Sequence, residues 1–268
     1  MVRTLRPQVV GHEVQSLWTS GKALRLGRPL DTAALKKFAV GGRIVAVRRR
    51  AKYVVMDVAL PDGTMGTSLV HLGMSGRLRV QPKDQERPAH THVIWVLKDG
   101  REIRFSDPRR FGLVKAARDE AAHEELAALG PDPLSDLSAA YLEAELATSR
   151  APLKAFLLDQ SRIAGLGNIY VCEAMFISGL HPALPAHRAK ERAAALFEAI
   201  QQTLREALVH GGTTLRDFID SEGHSGQHQH SLWVYGREGD PCHKCQTPVK
   251  RKVDGGRSTF FCRVCQKR

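Results

Sequence analysis

The sequence lacks any apolar run long enough to cross a bilayer, and residues 1–6 lack the apolar centre of an export signal. Both absences favour a protein that stays in the cytoplasm. Cysteine is scarce as well, with five residues in 268, which argues against a disulfide-stapled secreted domain. Internal repeats and low-complexity tracts are also missing, so a solenoid or a compositionally disordered chain is not expected.

Acidic residues are few relative to basic ones: 28 Asp and Glu stand against 40 Lys and Arg, giving a net charge of +12. The electrostatic field of this positive charge attracts polyanions and favours nucleic acid over a membrane surface as the partner class. The charge is concentrated, because the last 42 residues from Gln227 contain nine basic and three acidic side chains. The hydrophobic content of 43% allows a core in each of two domains.

The five cysteines are not evenly spread. Cys242 and Cys245 form one Cys-x-x-Cys pair, and after sixteen intervening residues Cys262 and Cys265 form another. Two such pairs bring four thiolates to one point, which suits one structural Zn²⁺ and leaves no open position for catalysis. Two disulfides or an iron site are the alternatives. Cys172 remains, on a predicted helix, where we expect a small buried hydrophobe rather than a nucleophile.

A basic segment lies between the two cysteine pairs. It contains Lys250, Arg251 and Lys252, a Gly-Gly turn at Gly255, and Arg257. The β-type residues on both sides predict a short hairpin. A rigid basic tip of this kind indicates an anionic partner.

The first 115 residues are predicted to be mainly β. Turn residues separate short apolar runs, as expected of a sandwich or barrel. A helical turn is expected near residues 33–38, and residues 3–9 resemble the end of a helix that Pro7 cuts off. The predicted strands are residues 44–47, 53–58, 67–70, 93–97 and 102–105.

After Gly112 the pattern becomes helical. The predicted helices are residues 119–129, 138–148, 152–160, a helix that follows the turn 163–170 and ends before Gly179, and 190–210. The predicted organisation is therefore α+β and multidomain. It comprises a β-sandwich at 1–115, a linker at 116–135, a helical domain at 136–225 and a zinc-bound hairpin at 226–268.

The turn Gly165-x-Gly167-Asn168 is one of three candidate binding features. It points the amides of the following helix outward, which could hold one phosphate. Its spacing does not fit a dinucleotide-binding fingerprint. A tight helix–helix corner that binds nothing is the alternative.

Two glycine-rich turns carry exposed-looking apolar side chains. Met74 lies in His71-Leu-Gly-Met-Ser-Gly76, and Phe111 lies in Asp107-Pro-Arg-Arg-Phe-Gly112 beside Arg109. On a basic protein such side chains could separate base pairs or fill a gap in a base stack. Taken singly, each would be read as a core residue, and the sequence does not show whether the turns converge.

These motifs belong to a longer ordered set. The set comprises Arg49-Arg-Ala-Lys52-Tyr, the two turns above, Leu158-Asp-Gln160, Gly167-Asn-Ile-Tyr170, Gly211-Gly-Thr-Thr-Leu-Arg-Asp-Phe218, Val234-Tyr-Gly-Arg237 and the four cysteines. In order and spacing it resembles the bacterial formamidopyrimidine-DNA glycosylases, over nearly the whole chain from about Arg3.

The resemblance implies an N-terminal β-sandwich, a helix-two-turns-helix domain and a zinc finger, with double-stranded DNA bound in the cleft between. It also implies residue roles. Lys52 would reach the lesion and its phosphate, and Arg257 would clamp phosphate from the finger tip beside Asn168. The residues that would fill the gap left by the extruded base are Met74, Arg109 and Phe111, and those that would make further backbone contacts are His90 and Arg150.

The N-terminus departs from the family pattern. The family begins with Pro-Glu-Leu-Pro-Glu-Val-Glu-Thr, whereas this sequence begins at a point that aligns just downstream. In the family the proline amine attacks the sugar C1′ and forms a Schiff base, and the adjacent glutamate handles protons. A start codon placed too far downstream explains this best. A truncated paralogue that finds lesions without cutting and a deliberately shortened chain are the alternatives.

A second departure lies in the His-rich segment 221–230. Many relatives carry Tyr-Phe where this chain has Gln227-His228, in the loop that closes over the flipped base. The segment is expected to be mobile and solvated, with a second metal site as the weaker alternative.

Three functions are therefore compared. The first is a monomeric, cytoplasmic glycosylase and AP lyase that removes oxidised purines, such as 8-oxoguanine and formamidopyrimidines, from duplex DNA by base flipping and β,δ-elimination. The second is a non-catalytic protein that binds damaged or abasic DNA. The third, a zinc-ribbon RNA-binding protein, fits less well because a single strand has no partner base for the wedges to replace.

Overall fold

The structure is a computed structural model that describes residues 1–25 and 27–268. Contacts along the chain divide it into two units. The N-terminal unit comprises Met1–Ala127 together with Thr213–Gly226, and the C-terminal unit comprises Ala128–Gly212 together with Gln227–Arg268. The segment Thr213–Gly226 thus folds with residues that lie far from it in the sequence.

The N-terminal unit is built mainly from strands. Its elements are α1 Val2–Val9, β1 Val14–Thr19, α2 Thr32–Lys37, β2 Arg43–Arg50, β3 Tyr53–Ala59, β4 Met65–His71, β5 Arg77–Pro82, β6 Thr91–Leu97, β7 Arg101–Ser106, β8 Leu113–Ala117, a 3₁₀ turn Glu120–Ala122 and α3 Glu124–Ala127.

The strands form two antiparallel four-stranded sheets, ordered β1-β6-β7-β5 and β2-β3-β4-β8. One buried cluster contains side chains from both sheets, among them Met56 and Val70 of one and Trp95 and Phe105 of the other. The predicted β-sandwich is therefore confirmed. Alternation along each strand places one set of side chains in this core and leaves the other set outside.

Helix α1 corrects one local prediction. Pro7 was expected to end the helix, but Pro7 lies inside α1, which continues to Val9. Leu5 and Val9 are both fully buried at i, i+4 spacing, so core packing holds the last turn despite the amide donor that proline lacks.

The region after β8 also differs from the prediction made from the sequence. A continuous helix was expected over residues 119–129, whereas the structure has a 3₁₀ turn and then α3, separated at His123. The His123 ring is 2% exposed, and its Nε2 lies 3.3 Å from the carbonyl oxygen of Thr67 on β4. Anchoring this side chain to the sheet accounts for the break.

The C-terminal unit consists of helices followed by a hairpin. Its elements are α4 Ala139–Ala147, α5 Leu153–Leu158, α6 Asn168–Ile177, a 3₁₀ segment Ala186–Arg192, α7 Ala193–Val209, a 3₁₀ turn His228–Ser231, β9 Lys250–Asp254 and β10 Arg257–Phe261. The predicted serine cap of α4 is confirmed, since the Tyr141 amide donates to Ser138 Oγ at 3.1 Å. The helix expected over 190–210 is α-helical only from Ala193.

Two apolar clusters hold this unit together. The larger joins α4 to α7 through residues such as Leu157, Met175 and Ile200. The smaller joins α6 to the hairpin through Cys172, Phe176, Val234, Val249 and Phe260, with Cys242 and Cys262. Cys172 is fully buried, as predicted, and burial raises the pKa of its thiol to about 11, so it is a packing residue. Across residues 1–25 and 27–268, no helix combines the length and apolarity that a membrane span requires.

Candidate functional site

The four clustered cysteines form a metal-binding geometry. Cys242 Sγ lies 3.9 Å from Cys265 Sγ, and Cys245 Sγ lies 3.4 Å from Cys262 Sγ. All four sulfur atoms lie within 4.8 Å of one another. Tetrahedral zinc with bonds of about 2.3 Å places its sulfur ligands about 3.8 Å apart. The set therefore fits one structural zinc ion, and the sulfur atoms are too far apart for the alternative of two disulfides.

The hairpin that projects from this metal site carries Arg257. Strands β9 and β10 pair in antiparallel register, with Arg257 opposite Asp254. Gly255 and Gly256 form the two-residue turn with φ angles of 54° and 74°, which glycine adopts without strain. Arg257 is exposed at the start of β10. The predicted basic finger tip is therefore present, with its guanidinium free of the core.

Two helical side chains hold the residue next to Arg257. Asn168, the first residue of α6, donates from Nδ2 to the Ser258 carbonyl oxygen at 2.9 Å and to the Tyr235 hydroxyl at 3.3 Å. Lys154 of α5 donates to the same carbonyl at 3.0 Å and to Thr259 Oγ1 at 2.6 Å. The structure thus brings the predicted site residues Asn168 and Arg257 together. Oδ1 of Asn168 is buried and has no partner among residues 1–25 and 27–268, so it can accept one further hydrogen bond.

Lys154 is a functional candidate that the sequence interpretation missed. It lies in the apolar run of α5, is 4% exposed, and burial lowers the pKa of its ammonium group. The sequence does contain a signal for this burial, because a lysine between Leu153 and Phe156 falls on the apolar, buried face of that helix. A lysine at such a position needs polar partners, and these lie in the finger.

Glu173 of α6 was also missed. Its Oε2 accepts the Trp233 amide at 2.6 Å, and its Oε1 accepts the amides of Val234 and Tyr235 at 3.0 and 2.9 Å. The side chain is 1% exposed, and burial raises its pKa although the three amides oppose the shift. Glu173 therefore fixes the segment that leads into the finger.

In the N-terminal unit the two wedge-like turns meet. Met74 is 64% exposed, more than any other large apolar side chain among residues 1–25 and 27–127. The preceding Gly73 has φ 65°, and a Cβ there would lie 2.7 Å from the backbone of both Phe111 and Gly112. Only glycine allows this approach. The convergence that the sequence left open is therefore present.

Asp107 ties the two turns together. One carboxylate oxygen accepts the Ser75 hydroxyl at 2.6 Å, and the other accepts the Gly112 amide at 2.7 Å. Beside it, the Arg109 guanidinium lies 4.7 Å from the centre of the Phe111 ring, a cation–π contact. Met74, Arg109 and Phe111 are thus presented from one rigid pair of loops.

Lys52 lies at the turn between β2 and β3 and is exposed. The following residue, Tyr53, packs its ring against His71 at 4.9 Å between centroids. Burial, and then the charges of Arg25 and Lys52, lower the pKa of His71 to about 4. The neutral ring accepts the Gly73 amide at Nδ1 over 3.0 Å, so Lys52 lies within the electrostatic reach of the Met74 turn.

The two remaining predicted contacts, His90 and Arg150, are both exposed. His90 has φ 60°, and its carbonyl accepts the Asp107 amide at 3.0 Å, which connects it to the Arg109 turn. Arg150 lies in the segment that joins α4 to α5 in the other unit.

Comparisons with known proteins agree with this geometry. The formamidopyrimidine-DNA glycosylase N-terminal domain matches residues 1–114, the H2TH domain of the same proteins matches residues 129–219, and the zinc finger found in FPG and IleRS matches residues 239–268.

Among curated proteins, the formamidopyrimidine-DNA glycosylase of Rhizorhabdus wittichii is 44% identical over 270 residues, covering 99% of this chain and 96% of its own length. That of Xanthomonas oryzae pv. oryzae is 42% identical, with the same two coverages of 99% and 96%.

Solved structures give the same result. The MutM (FPG) protein of Thermus thermophilus superimposes with a TM-score of 0.85 at 39% identity, covering 98% of this chain and 95% of its own. A Lactococcus lactis FPG mutant in complex with Fapy-dG containing DNA gives 0.89 at 28% identity, with coverages of 99% and 96%. These matches extend over all the elements described above, and the chain belongs to the formamidopyrimidine-DNA glycosylase family.

Proposed function

We propose that this protein is a base-excision-repair DNA glycosylase and AP lyase that removes oxidised purines from duplex DNA. The observation that carries the proposal is the convergence of the Met74 turn with the turn of Arg109 and Phe111. An exposed methionine and an aromatic ring, held rigidly on a basic protein, suit the space that an extruded base leaves in a stack. The Lactococcus lactis relatives are complexes with DNA containing Fapy-dG or an abasic site, and this chain is proposed to bind the same class of DNA.

Base flipping sets the energetic requirement. A damaged base inside a duplex is out of reach until it is extruded, which costs a few kcal/mol. Inserting Met74 into the stack removes its exposed apolar surface from water, which contributes about 1.5–3 kcal/mol. The Arg109 guanidinium, already stacked on Phe111, adds a planar cation that faces the unpaired partner base.

Contacts to the DNA phosphates supply the remaining binding free energy. Arg257 at the finger tip offers guanidinium donors to one phosphate, and α6, which begins at Asn168, offers the backbone amides of its first turn to another. The Asn168 side chain holds the two features together by donating to Ser258, which keeps the entropic cost low. Lys52, His90 and Arg150 are exposed and serve as further contacts to the backbone and to the lesion phosphate.

The chemical step that the family resemblance implies uses a proline amine and an adjacent glutamate. In the family a proline amine attacks C1′, the damaged base leaves, and the resulting Schiff base allows β- and δ-elimination. An α-amine has a pKa of about 7.7–8.0, so an appreciable fraction is neutral at physiological pH. The described residues bend the duplex, hold the extruded nucleotide and position the lesion phosphate.

The zinc ion is structural in this scheme and takes no part in the reaction. Cys242, Cys245, Cys262 and Cys265 would fill all four positions of a tetrahedral zinc ion and leave no open site for substrate. We further propose that the protein acts as a monomer in the cytoplasm, on the nucleoid when it is bound to DNA.

The proposal is tested first by binding. Fluorescence anisotropy with 8-oxoguanine, abasic and undamaged duplexes should show a clear preference for the first two. Met74→Ala should reduce that preference about 10- to 100-fold, the equivalent of the apolar burial given above. Met65→Ala is the matched control, because Met65 is also exposed, at 42%, and should leave the preference unchanged. Equal affinity of the wild-type protein for damaged and undamaged duplexes would overturn the proposal.

Chemistry is tested by borohydride trapping on lesion DNA. A chain extended at its N-terminus by the family's Pro-Glu-Leu-Pro-Glu-Val-Glu-Thr sequence should be trapped covalently, and a polypeptide of these 268 residues should not. Tight binding without trapping in both forms would instead establish the non-catalytic alternative.

A further inference from the structure

A cavity of about 130 Å³ lies on the outer face of the β1-β6-β7-β5 sheet. Because Leu78, Ile103 and Phe105 point into the core, their neighbours along β5 and β7 point outward. The outward residues that matter here are Arg77, Arg79, Gln81 and Arg104, and the rim includes Pro108 and Ala89.

The cavity carries excess positive charge. Arg104 is neutralised, because its Nε donates to Glu102 at 2.7 Å in an ion pair that is almost fully buried. Its other N–H groups donate to carbonyls of the segment between β5 and β6, such as that of Gln85 at 2.9 Å. Arg104 is therefore held in place by its partners and forms one side of the cavity. Arg77, which is exposed, and Arg79, which is partly buried, supply two positive charges with no carboxylate among the lining residues.

Two buried polar atoms of residues that line this cavity have no hydrogen-bond partner among the described residues. They are Arg79 Nε and Gln81 Oε1. Gln81 is only 4% exposed, and Arg79 makes one long contact, from Nη2 to the Glu222 carbonyl at 3.4 Å. A buried polar group that is left unpaired destabilises the fold, so these atoms need a ligand or ordered water.

We propose that this cavity binds a phosphate group, and that in the repair function proposed above the group is a backbone phosphodiester of the DNA. The planar fork of Arg79 and the guanidinium of Arg77 match phosphate oxygens, and the Gln81 amide adds neutral N–H donors once it rotates about its last bond. The volume holds one tetrahedral phosphate group or about four waters at roughly 30 Å³ each.

The surroundings favour a DNA phosphate. Pro108 belongs to the turn that carries Arg109 and Phe111, and Ala89 precedes His90. The cavity is therefore contiguous with side chains already proposed to contact DNA. Its occupation would add one phosphate to that footprint.

The first experiment asks whether phosphate enters the cavity. In ¹⁵N-correlated spectra of the zinc-loaded protein, the Arg79 Nε–H resonance is assigned by its loss in Arg79→Gln. Titration with inorganic phosphate should move it downfield and saturate, whereas chloride at the same ionic strength should not. If neither phosphate nor a DNA duplex shifts it, the cavity holds only water and the proposal fails.

The second experiment identifies the source of the phosphate. The salt dependence of binding to an undamaged duplex is measured for Arg77→Gln/Arg79→Gln and for a control with the same charge loss, Lys36→Gln/Lys37→Gln on α2. The slope of log affinity against log salt should fall by about 0.9 in the first variant, the value for one phosphate contact, and should not change in the control. An unchanged slope with an Arg79 shift in inorganic phosphate would refute the DNA source and assign the site to a free phosphate.

Undamaged DNA keeps this test separate from the repair function. If the wild-type protein fails to prefer damaged duplexes, the proposed function fails, yet the slope difference still reports on the cavity. Both variants replace partly or fully exposed side chains, and matched thermal melts check that they fold.

Discussion

Replacing Glu173 with alanine should loosen the connection between α6 and the zinc finger. The carboxylate accepts three consecutive amides, at 2.6, 3.0 and 2.9 Å, and is 1% exposed. A buried donor that loses its acceptor costs about 1–3 kcal/mol. Three donors would cost up to about 9 kcal/mol, and water entering the space left by the side chain reduces this, so we expect a loss of about 3–6 kcal/mol in the free energy of unfolding of the C-terminal unit.

Urea unfolding followed by circular dichroism gives the global change, and hydrogen exchange locates it. The amides of Trp233, Val234 and Tyr235 should lose most of their protection in Glu173→Ala. The stability of Glu173→Gln should lie between that of Glu173→Ala and that of the wild type. The glutamine side chain keeps one accepting oxygen but turns an N–H₂ group towards one of the three donors.

Glu145→Ala is the matched control. Glu145 lies on α4 of the same unit and pairs with Arg162 at 2.7 Å, but its side chain is 31% exposed. A surface ion pair of this kind contributes about 0–1 kcal/mol. If the two alanine variants lost similar stability, or if the three amides kept their protection without Glu173, the buried carboxylate would not be what holds this segment.

Four further outcomes are expected. Zinc removal by a chelator, or Cys262→Ser, should unfold the hairpin and abolish protection of its amides while the helical signal in circular dichroism persists. Burial lowers the folded pKa of His71 to about 4, below its unfolded value of 6.5, so protonation of this ring opposes folding below pH 6.5; in urea unfolding, the stability of the wild type relative to His71→Gln should fall by roughly 3 kcal/mol as the pH drops from 6.5 to 4. Gly73→Ala should cost more than Gly63→Ala, by about 1–3 kcal/mol in urea unfolding, because both have positive φ but only the first meets neighbouring backbone, at 2.7 Å. Lys154→Met should weaken DNA binding in an anisotropy titration, but less than Arg257→Gln, because the tip loses one of its two anchors at Ser258 and keeps that of Asn168.

Features encoded by neighbouring residues were predictable from the sequence. The cysteine spacing gave the metal site, and alternating apolar residues gave the sandwich, because ligand spacing and side-chain periodicity are local properties. The exposed wedge of Met74 also agrees with its glycine-flanked position. The convergence of this turn with that of Phe111 is a tertiary contact, and no local pattern specifies it.

Buried charges were missed for a physical reason. Lys154 and Glu173 lie on helices, where charged residues are normally taken to mark the solvent face. Each is buried because its partners come from more than 50 residues away, in the finger and the segment before it. The packing of Thr213–Gly226 against the N-terminal unit is equally non-local: the Ser221 hydroxyl bonds Thr4 Oγ1 at 2.7 Å, across 217 residues.

The buried Lys154 explains how the exposed Arg257 is positioned for the phosphate contact proposed above. Zinc fixes the base of the β9–β10 hairpin through four thiolates, but a metal at the base does not position a tip several residues away. Lys154 and Asn168 supply that second anchor by donating to the carbonyl of Ser258, next to Arg257. A side chain ordered on binding costs about 0.5–1.5 kcal/mol, and a free loop adds the cost of ordering its backbone. Because the hairpin is held at both ends before DNA arrives, Arg257 needs to order only its own side chain, and the metal and the buried lysine should affect DNA affinity non-additively when both are removed.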